Sequence, residues 1–293
     1  MHRTVLDFET HRRRLLAMAY RMLGSRADAE DVVQDAWIRW NNARSEAVEN
    51  APAFLSRIVS RLCLDRMKSA RNQREVYVGT WLPEPLVDDD DLFQPEPLAA
   101  HELACDLSFA FLLMLERLSP LERAAFLLHD VFDMSFSEIA AILDRKETAC
   151  RQLAARARAG IRDSRRSIPM SQESGARLAQ AFVSAARDGD IAALTSVLAE
   201  DIVFLSDGGG RVAAVPYALV GQADVLRAII GFATKLVPEG IHIRPARING
   251  LAGLVVSVDG AIIQTMAFEM NGEGLINAIY IMRNPEKLQR VTP

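Results

Sequence analysis

Cysteine is scarce in this 293-residue chain. Cys63, Cys105 and Cys150 are far apart, odd in number and never arranged as CxxC. That argues against a disulfide framework or a zinc site and for reduced thiols in the cytoplasm. Histidine is also sparse, and His101, His129 and His242 stand isolated, without metal-ligand spacing, so neither a metal nor a cofactor is expected. No segment approaches the ~20 apolar residues of a membrane span. The opening MHRTVLDFETHRRR lacks the apolar stretch of a secretory signal. A cytoplasmic protein with no membrane partner is the expectation.

Composition is otherwise that of a soluble globular protein, half apolar and a quarter charged, long enough for two or three domains. The net charge of -4 conceals segregation. From Arg145 to Arg166 there are eight basic residues against Glu147 and Asp163, whereas Trp81 to Glu102 holds seven acids and no Lys or Arg. Such blocks say more about partners than the total does.

Apolar periodicity makes the first ~75 residues helical. Leu15, Leu16, Ala19, Met22 and Leu23 form one stripe; Val32, Val33, Ala36, Trp37 and Trp40 a second; Phe54, Leu55, Ile58, Val59, Leu62 and Met67 a third. WLPEPLVDDDDLFQPEP follows, a linker expected to be extended and solvated, although it is apolar enough to be more than a passive tether. Helices resume from about Glu102. Ser119-Pro120-Leu121-Glu122 and Ser135-Phe136-Ser137-Glu138 are capping boxes, and a third helix starts near Lys146, which is helix-turn-helix spacing. After a second linker, RSIPMSQESG, helices give way to strand-like runs with Gly and Asn-Gly turns, the pattern of an α+β domain with a curved antiparallel sheet.

The helix RKETACRQLAARARAGIRDSRR places Ala149, Leu153, Ala157 and Ile161 on one side and Thr148, Arg151, Gln152, Ala155 and Arg158 on the other. Forked Arg donors and Gln on an outward face suit a major groove, with flanking Arg and Lys on phosphates. A basic but merely solvated helix is the competing reading. A second basic row, Arg57, Arg61, Lys68, Arg71 and Arg74, lies on the third helix. By contrast DAEDVVQDAWIRW, residues 28–40, has an acidic face that would repel phosphate.

LLAMAYRMLGSRADAEDVVQDAWIRW with FLSRIVSRLCLDRMKSAR resembles region 2 of bacterial sigma factors of the extracytoplasmic-function family. LSPLERAAFLLHDVFDMSFSEIAAILDRKETACRQLAARAR resembles region 4. The resemblance covers residues 1 to about 165. It implies that the acidic helix docks on RNA polymerase core, using Asp28, Glu30, Asp31, Gln34 and Asp35, with Trp37 adding apolar surface. A core position for Trp37 is the competing reading. The implied partners are the β′ clamp helices, the β flap and promoter DNA. Asn42, Arg44, Arg57 and Arg61 would meet the minus-ten element as a single strand with a flipped base. Arg61 is a departure, because many relatives have Asn there, and the minus-ten base preference stays open. Arg145, Lys146, Thr148, Arg151, Gln152 and Arg158 would read the minus-thirty-five element.

The C-terminal part resembles the SnoaL-like α+β cone, also seen in nuclear transport factor two and ketosteroid isomerase. One branch of the sigma family carries this extension with WLPEP, DGGGK and NPDKL motifs. Here these read Trp81-Leu82-Pro83-Glu84-Pro85, Asp207-Gly208-Gly209-Gly210-Arg211 and Asn284-Pro285-Glu286-Lys287-Leu288, both departures keeping charge. The resemblance implies regulation from within the chain, with the cone packing on WLPEP and region 2. The expected domains are region 2 (1–78), an acidic linker (79–101), region 4 (102–166), a linker (167–175) and the cone (176–293). The triple glycine lacks the GK[ST] of a phosphate loop. Cones of this kind can be enzymes, but Asp207, His242 and Asp259 do not make a convincing catalytic set, so no enzyme is expected; a small apolar ligand in the cone would be a regulatory input. The competing functions are a ligand-responsive helix-turn-helix regulator acting without polymerase, and a cone enzyme fused to a DNA-binding module.

Overall fold

The computed structural model describes residues 2–42, 50–74, 77–88, 107–161, 172–235 and 240–292. The chain forms two compact units, Met1–Glu75 with Asp89–Ser164, and Val76–Asp88 with Arg165–Pro293.

The first unit is helical. Helix α1 (His2–Leu23) buries Leu15, Met18, Ala19, Tyr20, Met22 and Leu23. It ends at Gly24, whose positive φ lets its N–H return to the Tyr20 carbonyl at 2.7 Å. Ser25 then caps α2 (Arg26–Asn42), accepting from the Asp28 N–H at 3.2 Å. Asn50 does the same for α3 (Ala51–Arg74), through the Ala53 N–H at 3.1 Å. The stripes read from periodicity meet here: Val32, Val33, Ala36 and Trp40 of α2 and Leu55, Val59, Cys63, Leu64 and Met67 of α3 are buried.

Helix α4 (Phe109–Glu116) is capped by Ser108. Helix α5 (Pro120–Phe126) starts at the expected Ser119–Glu122 capping box and runs into a π-helical turn, Leu127–Val131. The Ser135–Glu138 box starts α6 (Phe136–Leu143), which stops at Asp144 in the left-handed conformation. Helix α7 (Glu147–Ile161) follows directly, completing a helix-turn-helix. Its buried side is Cys150, Ala154 and Ala157, rotated slightly from the expected arc.

The second unit holds α8 (Gln172–Asp188), α9 (Ile191–Val197), β1 (Leu198–Asp207), β2 (Leu219–Val220), α10 (Gln222–Lys235), β3 (Ile241–Ile248), β4 (Leu251–Val258), β5 (Ala261–Met270), β6 (Ile276–Met282) and α11 (Pro285–Leu288). The sheet order is β2-β1-β6-β5-β4-β3. Ala179 and Phe182 of α8, Leu194 of α9 and Val225 and Ile229 of α10 pack with Phe204, Leu254, Phe268, Ile279 and Ile281 of the sheet into one core. This is the α+β layout implied by the SnoaL-like resemblance.

One expectation is corrected: the sheet is mixed, because β1 pairs with β6 in parallel. The other pairs are antiparallel, and two of their turns were legible. Asp259-Gly260 and Asn249-Gly250 both take positive φ between paired strands, as tight hairpins require. A first and last strand that meet side by side after long intervening elements leave no local turn to read.

Candidate functional site

Three surfaces carry the residues singled out in the sequence. The first is the outer face of α2. Asp31, Gln34, Asp35 and Ile38 recur at helical spacing and are exposed, with Ile38 half-exposed at 50%. Arg66 of α3 donates to Asp28 at 2.5 Å and reaches Asp31 at 3.3 Å, and Arg26 pairs with Glu30 at 2.8 Å. These pairs orient the acidic edge while Asp31 stays 64% exposed. The tryptophans look inward: Trp40 is buried beside Phe54, and Trp37 is partly buried against the Phe8 ring at 5.0 Å. Trp37 is thus only partly buried, and Ile38, outside the expected apolar stripe, is the exposed apolar side chain of this face.

The second surface is basic. Asn42 and Arg57 are exposed, and Arg44 lies outside the described residues. Arg61, also exposed, points its fork at two backbone carbonyls of α6, Ile142 (3.2 Å) and Ala141 (3.1 Å). On α7, Thr148, Arg151 and Gln152 face solvent beside Arg145 and Lys146. Arg151 lies over the Phe136 ring at 4.7 Å and within 3.7 Å of Glu147, so its guanidinium is pre-positioned. Arg158 is paired with Asp130 of the π-helical turn at 2.8 Å and keeps 42% of its side chain exposed, and Arg156, not singled out in the sequence, is also exposed.

The third surface lies wholly within the second unit and joins all three C-terminal motifs. Asp207, at the end of β1, is fully buried. Its carboxylate accepts from the Tyr77 hydroxyl (2.5 Å), the Leu82 N–H (2.8 Å), the Gly209 N–H (2.9 Å) and Lys287 Nζ (2.8 Å). Lys287 Nζ also donates to the Leu82 carbonyl (2.5 Å) and sits over the Trp81 and Tyr77 rings, at 4.4 and 5.2 Å. A buried ion pair of this kind holds only when its remaining donors and acceptors are filled, and here Tyr77, Leu82 and Gly209 donate to the carboxylate while the Leu82 carbonyl accepts from the ammonium. Burial and the neighbouring Asp207 carboxylate push the Tyr77 hydroxyl well above its usual range, so it stays a donor.

The turn geometry brings this together. Asn284 caps α11 by accepting from the Glu286 N–H at 3.0 Å and donates to the Tyr77 hydroxyl at 3.0 Å. Gly209 has φ +64, and a Cβ there would come within 2.5 Å of the Asn284 side chain. That close approach is what the glycine is for. Arg211 pairs with Glu286, closing the loop onto α11, with Pro285 at its first turn and Leu288 buried.

The WLPEP stretch continues across the cone. Leu82, Pro83, Glu84, Pro85 and Leu86 are buried, which corrects the expectation of a solvated tether; Arg290 lies 3.5 Å from Glu84. Leu86 exchanges two hydrogen bonds with Asn249, at 2.8 Å through the backbone and 3.0 Å through its side-chain oxygen. Val87 bridges Ile248 at the β3 edge. Asp88, first of the acidic run, accepts from Arg244 (2.7 Å) and the Arg247 N–H (2.9 Å). Tyr77, Asn249 and Arg244 thus join the contacts of the 77–88 segment without having been singled out in the sequence; the Asn-Gly turn was seen, but not its hydrogen bonds to Leu86. His242, by contrast, is exposed on β3 and takes no part.

Residues 8–73 match the family model for Sigma-70 region 2 and residues 108–160 that for Sigma-70 region 4. The chain is 37% identical to the ECF RNA polymerase sigma factor SigJ of Mycobacterium tuberculosis, covering 97% of this chain and 92% of that one. It is 31% identical to the probable ECF RNA polymerase sigma factor SigI of the same species, over 96% and 93%. The crystal structure of M. tuberculosis SigJ superposes with a TM-score of 0.74 at 34% identity, covering 97% of this chain and 98% of that one.

Proposed function

Because the chain belongs to the extracytoplasmic-function sigma factors, which direct promoter-specific initiation by RNA polymerase, we propose that its C-terminal domain governs that activity by gripping the tether between region 2 and region 4. The observation that carries this is the Asp207–Lys287 pair closed around Leu82.

The segment 77–88 lies between α3 and α4, so it is part of the only covalent connection between the two promoter-reading regions. Freely extended it would span about 40 Å. Gripped at Leu82 and again at Leu86–Asp88, it is withdrawn from the tether's reach. Because clamp and segment share one chain, even weak contacts keep the gripped state populated, at an effective concentration in the ~mM range. A signal acts by shifting that population. A small apolar ligand in the cone would have to displace Phe182, Phe204 or Phe268, and β1 connects Phe204 to Asp207.

Within this reading, Asp28, Glu30, Asp31, Gln34, Asp35 and Ile38 meet polymerase core. Asn42, Arg44 and Arg57 meet the minus-ten strand. Arg145, Lys146, Thr148, Arg151 and Gln152 meet the minus-thirty-five duplex. Run-off transcription with purified core tests the grip. Removing Asn284 to Pro293 takes away Lys287 and should raise transcript yield several-fold; unchanged yield would overturn the proposal.

A further inference from the structure

The minus-ten candidates include one residue whose partner is not nucleic acid. Arg61 projects from α3, and its Nε and Nη2 donate to the carbonyls of Ile142 and Ala141. Those carbonyls belong to the last turn of α6, the first helix of the helix-turn-helix. The last carbonyls of any helix lack intrahelical partners and form the negative end of its dipole. Here the chain turns away at Asp144, with φ +54, and the N–H groups of Asp144 and Arg145 both return to Ala140. Ala141 and Ile142 are left for another donor, and a guanidinium fork matches two adjacent carbonyls in both geometry and charge. An asparagine amide, several bonds closer to its own backbone, would fall short.

The same helical unit uses arginine this way twice more. Arg123 of α5 is 3% exposed and donates to the Met22 carbonyl at the end of α1 (2.7 Å), the Leu115 carbonyl (2.8 Å) and Glu116 (2.6 Å). Arg14 of α1 donates to the Phe132 carbonyl at 2.9 Å, and Arg14 and Arg21 both lie over the Phe132 ring. The Arg123–Met22, Arg14–Phe132 and Arg21–Phe132 contacts each join region 2 to region 4. Arg123 is sealed in the interior, whereas Arg61 is exposed and shares its helix face with Arg57.

We infer that Arg61 is a latch: it holds the helix-turn-helix of region 4 against α3 in the free protein, and must release α6 before its face of α3 can meet a promoter strand. The contact is intramolecular, so it competes with DNA for one guanidinium. The inference rests on α3 being the minus-ten face but is read out independently of it.

The test uses the full chain with Cys105→Ser and spin labels at Lys68→Cys and Ser137→Cys, both exposed; Cys63 and Cys150 are buried and stay unlabelled. Double electron–electron resonance on the free protein should give one narrow distance for Arg61. Arg61→Asn should enlarge the long-distance population at least about tenfold, the lower end of what a single hydrogen bond to a charged group is worth. Arg61→Lys, which keeps the charge but only one donor nitrogen in place of the fork, should fall between. Circular dichroism checks that the exposed substitution leaves the helices intact. An unchanged distance distribution in Arg61→Asn overturns the latch whatever the transcription result. Failure of the unsubstituted protein to support transcription would instead count against the polymerase surface.

Discussion

Lys287 is the residue on which the clamp turns, because its ammonium is shared between a buried carboxylate and the tether backbone. Lys287→Met leaves Asp207 buried and short of its counter-charge, and should cost about 3 kcal/mol of stability, read as a lowered urea midpoint. Adding Asp207→Asn should recover part of that loss while still freeing the tether, so that protease sensitivity near Trp81 and stability move apart. Gly209→Ala tests the turn: a Cβ would meet Asn284 at 2.5 Å in a left-handed backbone, and a loss of about 2 kcal/mol is expected from thermal melts. The motif glycines and Lys287 could be picked out in the sequence, but their joint purpose could not. Tyr77 and Asn249 are separated from Asp207 by 130 and from Leu86 by 163 positions, and no local pattern announces contacts across such distances.

Among the elements, α2 and α7 carry the three intermolecular predictions. Asp31→Asn with Asp35→Asn should weaken co-purification with polymerase core by more than about tenfold while leaving the helical melt unchanged, since both side chains are exposed. Ile38→Ser should weaken it too, by about tenfold, if the half-exposed side chain is the apolar anchor among the acids. On α7, Arg151→Ala should cost about 1–3 kcal/mol at one position of the minus-thirty-five element, seen as relaxed base preference in competition binding. The helices themselves were legible because their signals are local: both capping boxes close as the spacing demands, with Glu122 3.1 Å and Glu138 2.9 Å from the N–H groups of their cap serines. The parallel β1–β6 pairing was not, since register between distant strands is fixed by the shared core rather than by a turn. Exposure within an amphipathic stripe was equally hidden: Trp37 and Trp40 stand on the same stripe, and only packing shows Trp40 buried beside Phe54 and Trp37 partly buried against Phe8.

At the scale of the molecule, segment 76–88 groups with the C-terminal unit although it lies between the two sigma regions in sequence. Composition pointed to a solvated linker there, and its prolines and aspartates do suit extended backbone. What composition could not supply is the partner: an edge strand, an Asn-Gly turn and a buried ion pair that lie more than 100 positions later. Val87 and Ile248 offer the most direct means of holding that grip shut. They face each other across an antiparallel bridge flanked by the bonds of 86 to 249 and 88 to 247, the narrow kind of pair whose spacing suits a disulfide. Run-off transcription should therefore be compared between the oxidised and reduced forms of Val87→Cys/Ile248→Cys, in a Cys105→Ser background, with saturating core polymerase. The locked, oxidised form should yield several-fold less transcript than the same protein after reduction. Equal yields from the two forms, with the crosslink verified, would mean that the grip on the tether does not control initiation.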